Sequence, residues 1–158
     1  MPSSPDRGAA RWDWLLLGLL CLGTVAYWSV QYQPFVVPHN VHVILIPKCE
    51  TADDVRAVDA RVQEIRKEKG VPNDVYLMPI IESALGCFRA YEIASASPNV
   101  VALTIGLEDY TADIGTQRTN EGRESFWARS QVINAARAAR VQPIDTVFSD
   151  VTDMDGLL

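Results

Sequence analysis

Four short apolar runs, separated by segments of helical period, constrain this chain more than anything else in it. They are "VHVILI" from Val41, "VYLMPII" from Val75, "VVALTIG" from Val100 and "PIDTVFSD" from Pro143. The first three contain no formal charge and are rich in Val, Ile and Leu, the composition of buried strands. They are continuous rather than alternating, which predicts a parallel sheet covered on both faces.

The segments between them read as helices and turns. In "TADDVRAVDARVQEIRKEKG", Thr51 and Asp54 are spaced as a capping box. Val55, Val58, Val62 and Ile65 fall on one helical face, and Lys67, Lys69 and Gly70 mark the end. A second helix is expected over about 84–94, and "SPN" from Ser97 turns the chain. "LEDYTADIG" from Leu107 reads as an acid-rich loop. A long helix is expected over about 120–140, with Phe126, Val132, Ile133 and Ala136 as its apolar stripe. "VTDMDGLL" begins another helix, with Thr152 as N-cap. A β-α-β-α-β-α-β order suits either a doubly wound sheet or a (β/α)8 barrel. No strand is followed by a glycine-rich phosphate loop of the dinucleotide or P-loop kind.

Acids recur where the strands end: Glu50, Glu82, the Glu108–Asp109 pair and Asp150. In a barrel the C-terminal strand ends share one face, and that face carries the chemistry. Carboxylates brought together there repel unless a cation sits among them. An all-oxygen set without a His or Cys cluster favours Mg2+ or Mn2+ over Zn2+. Any one of these acids, taken singly, is as well explained as a helix cap or a solvated turn.

Composition excludes some classes. The net charge of −6 lacks the cationic surplus that phosphate contacts need, so nucleic acid is not an expected partner. Cys21, Cys49 and Cys87 are widely spaced and read as reduced, partly buried thiols. His39 and His42 sit where a loop enters a strand, a poor setting for a metal.

The first forty residues differ from the rest. Residues 14–30 carry no charge and are flanked by Trp12, Trp14, Tyr27 and Trp28. That is the short limit of a membrane span with an aromatic belt, and the run is long for a signal-peptide core. Arg7 and Arg11 before it predict an inside N-terminus. Two readings stay open: a single-pass anchor over 14–30, or a segment foreign to the domain. The expected division is residues 1–40 as an N-terminal segment with this apolar helix, and 41–158 as the α/β domain.

"IPKCE", "PIIESALG", "ALTIGLEDYTADIG", "RTNEGRESFWARSQVINAARAA" and "IDTVFSDVTDMDGL" resemble, in order and spacing, the HpcH/HpaI aldolase family, in particular citrate lyase beta subunits and malyl-CoA lyase-like relatives. The resemblance covers about residues 43–158. It implies a partial TIM (β/α)8 barrel matching strands four to seven, and carbon–carbon bond cleavage or formation on a 3-hydroxy acyl-CoA or acyl-carrier thioester. It implies a Mg2+ ion, with Mn2+ as substitute, held by Glu82 and Asp109. Lys48, Glu50 and Gly86 are implied to line the substrate pocket. Arg118 and Arg129 would meet acyl-CoA phosphates or pair with acids. Asp150 receives no role, and no catalytic base is identified. The family's "RSLLFVP", "DLEDAV" and "R-x-N-P" strands have no counterpart here.

The resemblance implies a cytoplasmic setting and, in full-length relatives, a homo-oligomer or larger lyase complex. The chain is therefore expected to be a Mg2+-dependent carbon–carbon lyase or an inactive fragment of one, its reading frame truncated or mis-started. The alternative is a non-catalytic, membrane-anchored module that binds a divalent ion or acyl-CoA.

Overall fold

The computed structural model describes residues 41–147. Four strands and five helices follow in the order β1 (Val43–Ile46), α1 (Ala52–Lys69), β2 (Tyr76–Ile81), α2 (Ala84–Phe88), α3 (Ala90–Ala94), β3 (Ala102–Ile105), α4 (Leu107–Asp113), α5 (Phe126–Ala138) and β4 (Gln142–Ile144). The strands form one sheet in the order β1-β2-β3-β4, all neighbours parallel. The apolar run 14–30, His39, Asp150 and the helix begun at Thr152 lie outside the described residues. Among the described residues no helix is long and apolar enough to cross a membrane.

Local sequence explains the longest helix. The Thr51 hydroxyl accepts from the Asp54 amide while Asp54 Oδ2 accepts from the Thr51 amide at 2.8 Å, closing the capping box. Gly70 ends α1 at φ 63°, where a Cβ would be strained. Burial pushes the Asp54 carboxyl upward, but amides of Glu50 and Thr51 and the Thr51 hydroxyl donate to it and hold its pKa below normal.

The core lies between the sheet and its helices. Leu77, Ile81 and Leu103 from the strands pack with Val55, Ile93 and Val132 from the helices, all essentially inaccessible to water. Each such side chain contributes roughly 1.5–3 kcal/mol by burial. α3 packs against both α1 and α5, so the helices form a layer on one face of the sheet.

The opposite face corrects the expectation of strands covered on both sides. Burial alternates along β2, and on β1 Val43 and Leu45 are exposed, Leu45 at 52%. Tyr76, the register partner of Val43, is also exposed. The expectation holds for β3, which is buried at all four positions, and fails on β1 and β2, where the described residues leave one face partly open.

Three helix expectations also change. "LEDYTADIG" is not a loop: Leu107–Asp113 is helical, with Gly106 as N-cap. The 84–94 segment breaks at Arg89 into α2 and α3. The helix expected over 120–140 narrows to Phe126–Ala138, and its buried side is Ala128, Val132, Ala135 and Ala136. Phe126 and Ile133 are 71% and 50% exposed. Val132 and Ala136 of the expected stripe are buried; close helix packing takes the small Ala128 and Ala135 in place of Phe126 and Ile133.

Candidate metal and substrate site

The C-terminal ends of β1, β2 and β3 bring the candidate residues together. After β1 the chain turns at Lys48, which adopts φ 53°. That left-handed conformation costs a side-chain-bearing residue on the order of 1 kcal/mol. Its backbone N–H donates to Glu82 Oε2 at 2.6 Å, and the next amide, Cys49, donates to the Ile80 carbonyl at 3.2 Å. The Lys48 ammonium lies 3.0 Å from Asp109 Oδ2. Lys48 thus touches both predicted metal ligands, one through its backbone and one through its side chain. The exposed ion pair contributes about 0–1 kcal/mol at most, so its value is geometric.

Glu82 follows β2 directly and lies across Gly106 at the end of β3. A Cβ on Gly106 would stand 2.7 Å from Oε1 and 2.8 Å from Cγ of Glu82. Asp109 is in the first turn of α4, where a carboxylate suits the positive end of the helix. The residue after Glu82, Ser83, caps α2 by accepting from the Gly86 amide at 3.1 Å. Asp113, at the end of α4, accepts from the Ala84 amide at 2.7 Å through Oδ2.

Gly86 is buried, and a Cβ there would meet the Cys49 carbonyl oxygen at 2.5 Å. Its bareness lets α2 pack directly on the turn that carries Lys48. The Glu50 amide is taken by Asp54 Oδ2 at 3.1 Å, so this residue belongs to the cap of α1 as well as to the strand end. Cys49 is fully buried beside the site, and burial with the Asp54 and Glu82 charges pushes its thiol up to about 12.

Of the strand-end acids that are described, Glu82 and Asp109 are the two that meet at Lys48. Among the described residues no three His, Cys, Asp or Glu side chains form a metal-binding group. Neighbouring positions on a helix point roughly 100° apart, so Glu108 and Asp109 cannot both face one point. Glu108 instead pairs with Arg118. Arg129 pairs with Asp145, its Nε donating to Oδ1 at 3.1 Å. Both arginines therefore hold acids. Asp150 lies outside the described residues, and His42 lies before β1, with its carbonyl accepting from Tyr76 at the sheet's other end.

What gathers is a pair of carboxylates with a cation beside them. That donor set fits Mg2+, which takes one or two carboxylates and completes its shell with water and substrate oxygens. It does not fit the four-ligand N/S set of a structural zinc site. Gly106 and Asp113 escaped sequence reading. The signal for Gly106 was a glycine directly after a strand; Asp113 was hidden because its segment read as a loop, which conceals its spacing of four from Asp109.

A family model for HpcH/HpaI aldolase/citrate lyase matches residues 26–158, starting before the motifs that begin near Val43. Citrate lyase subunit beta of Escherichia coli K12 is 39% identical over 132 residues, covering 83% of this chain and 44% of that protein. An L-malyl-CoA/beta-methylmalyl-CoA lyase of Cereibacter sphaeroides is 36% identical over 130 residues, covering 72% of this chain and 41% of that protein. A solved citrate lyase beta subunit from M. tuberculosis, complexed with oxaloacetate and magnesium, matches with TM-score 0.57 and 28% identity, covering 73% of this chain and 47% of that one. The chain spans less than half the length of each of these relatives.

Proposed function

The chain belongs to the HpcH/HpaI aldolase/citrate lyase family, and from that premise we propose that it carries the Mg2+ site of a carbon–carbon lyase acting on a 3-hydroxy acyl thioester. The observation that carries this reading is the meeting of Glu82 and Asp109 at Lys48, from the ends of different strands. The sequential parallel sheet with helices on one face supports reading β1–β4 as strands four to seven of a (β/α)8 barrel.

Glu82 and Asp109 would hold the metal. Bound there, Mg2+ supplies a Lewis acid that polarises a substrate oxygen and steadies charge developing during aldol-type cleavage. The protein's part is placement. The Lys48 amide and the bare backbone of Gly106 fix the Glu82 carboxylate. The Lys48 ammonium, exposed beside Asp109, would meet a carboxylate of the substrate. Glu50 and Gly86 would flank the pocket, as the family resemblance implies, with Gly86 letting α2 close on the Lys48 turn. The hydroxyl proton needs a base, and none of the described site residues is assigned that role. The substrate proposed is an acyl thioester such as citryl-CoA or malyl-CoA, with a cytoplasmic setting as the family resemblance implies.

The test is cleavage of citryl-CoA and malyl-CoA by the full chain, with and without Mg2+. Expected is metal-dependent release of acetyl-CoA, reduced at least about 100-fold in Glu82→Gln and in Asp109→Asn. Activity that survives both substitutions would show that the metal site is elsewhere.

A further inference from the structure

Helix α4 carries two acids four residues apart, and each reaches a different strand end. Asp109 meets the Lys48 ammonium beyond β1. Asp113 Oδ2 accepts from the Ala84 amide just beyond β2. Positions i and i+4 share a helical face, so one face of α4 is tied to both loops. Ala84 opens α2, and another first-turn amide, Gly86, is taken by the Ser83 hydroxyl. Glu82 immediately precedes this capped turn, so the bond from Asp113 fixes where the backbone of Glu82 sits relative to α4, and hence relative to Asp109.

We propose that Asp113 is a positioning residue of the metal site: by holding the Ala84 amide it sets the separation of Glu82 and Asp109. The proposal rests on the reading of those two acids as the metal pair. It assigns Asp113 no contact with metal or substrate. Its role needs an acceptor oxygen at this place rather than a charge, so asparagine should replace it.

Mn2+ alone, titrated into the full chain and followed by electron paramagnetic resonance, tests this alongside hydrogen exchange at the Ala84 amide in metal-free protein. Asp113→Ala should weaken Mn2+ binding about tenfold and speed exchange at Ala84, with Asp113→Asn close to wild type in both. Should Asp113→Ala not fold, Asp113→Glu, one methylene too long for Ala84, takes its place with the same expected loss. Unchanged Mn2+ affinity in the Ala or Glu variant overturns the proposal, as does an Asn variant as weak as Ala. If the wild type binds no Mn2+, or if Glu82→Gln binds it normally, the metal reading fails and the Asp113 proposal falls with it. A failure of the proposal alone is recognised by Glu82-dependent binding that ignores Asp113.

Discussion

The Glu82 carboxylate lies across the bare backbone of Gly106, so close that a Cβ on the glycine would stand 2.7 Å from its Oε1. Gly106 has φ −104°, which any residue adopts without strain, so the demand for glycine here comes from the neighbouring side chain. Gly106→Ala should displace Glu82 while leaving the backbone intact. The expected result is Mn2+ affinity lowered by about tenfold or more with a stability change of about 1 kcal/mol or less. Metal titration beside a urea melt separates the two effects.

Gly86 is a contrasting case. Its missing Cβ faces a backbone carbonyl, Cys49 O, at 2.5 Å, and a backbone atom cannot rotate away as a side chain can. Gly86→Ala should therefore cost about 1–3 kcal/mol, read as a lowered urea midpoint, and should weaken metal binding only through the shifted Lys48 turn. A variant as stable as wild type would show that α2 and this turn are not in contact.

How much of this was legible beforehand differs by residue. The capping box of Thr51 and Asp54 is a local rule, visible in four letters and present in the structure. The first three strands were legible because each is an apolar run, and the parallel order followed from the helices between them; the strand read from "PIDTVFSD" is instead the three residues Gln142–Ile144, with 145–147 outside any strand. Phe126 and Ile133 misled because size suggests burial, whereas α5 packs through alanines. Of the strand-end acids within the described residues, Glu82 and Asp109 reach Lys48, whereas Glu108 pairs with Arg118 and the Glu50 amide is held in the cap of α1. Gly106 and Asp113 act through partners 24 and 29 residues away (106 − 82; 113 − 84). Such pairings are set by the register of the folded sheet, which no local pattern states.

The buried cysteines should be inert in the folded protein. Burial, with the nearby Asp54 and Glu82 charges, pushes Cys49 up to about 12, and burial pushes Cys87 up to about 11. The thiolate is the reactive form, so neither residue should label with a thiol reagent at pH 8 while the protein is folded. Both should label fully in denaturant, as peptide mass spectrometry would show. Rapid native labelling of Cys49 would mean that the Lys48 turn opens readily.

Acid should loosen the link between α1 and the turn before β3. Burial pushes the Asp59 carboxyl upward, but the Ser97 hydroxyl, the Asn99 amide and the Gln63 amide donate to it, and its folded pKa lies below the ordinary 3.8. A carboxyl with a depressed folded pKa binds fewer protons folded than unfolded. Its contribution is present above about pH 4 and is lost as pH falls through the folded value. The urea midpoint of the wild type should fall below pH 4, and less steeply in Asp59→Asn, which has no proton to gain. Equal slopes for the two proteins would remove Asp59 as a source of acid sensitivity.

The open face of the sheet makes the last prediction. Val43, Leu45 and Tyr76 stand exposed on neighbouring positions of β1 and β2, on the side away from the helices. Apolar side chains grouped in this way mark a surface that is normally covered, or one that promotes association. Leu45, the most exposed of the three, makes the cleanest probe. Leu45→Lys should change the stability of the folded chain by about 0.5 kcal/mol or less, since little of the side chain is packed. It should nevertheless lower concentration-dependent association, measured by sedimentation, and reduce binding of an apolar dye. Unchanged association and dye binding in Leu45→Lys would show that this face does not drive association.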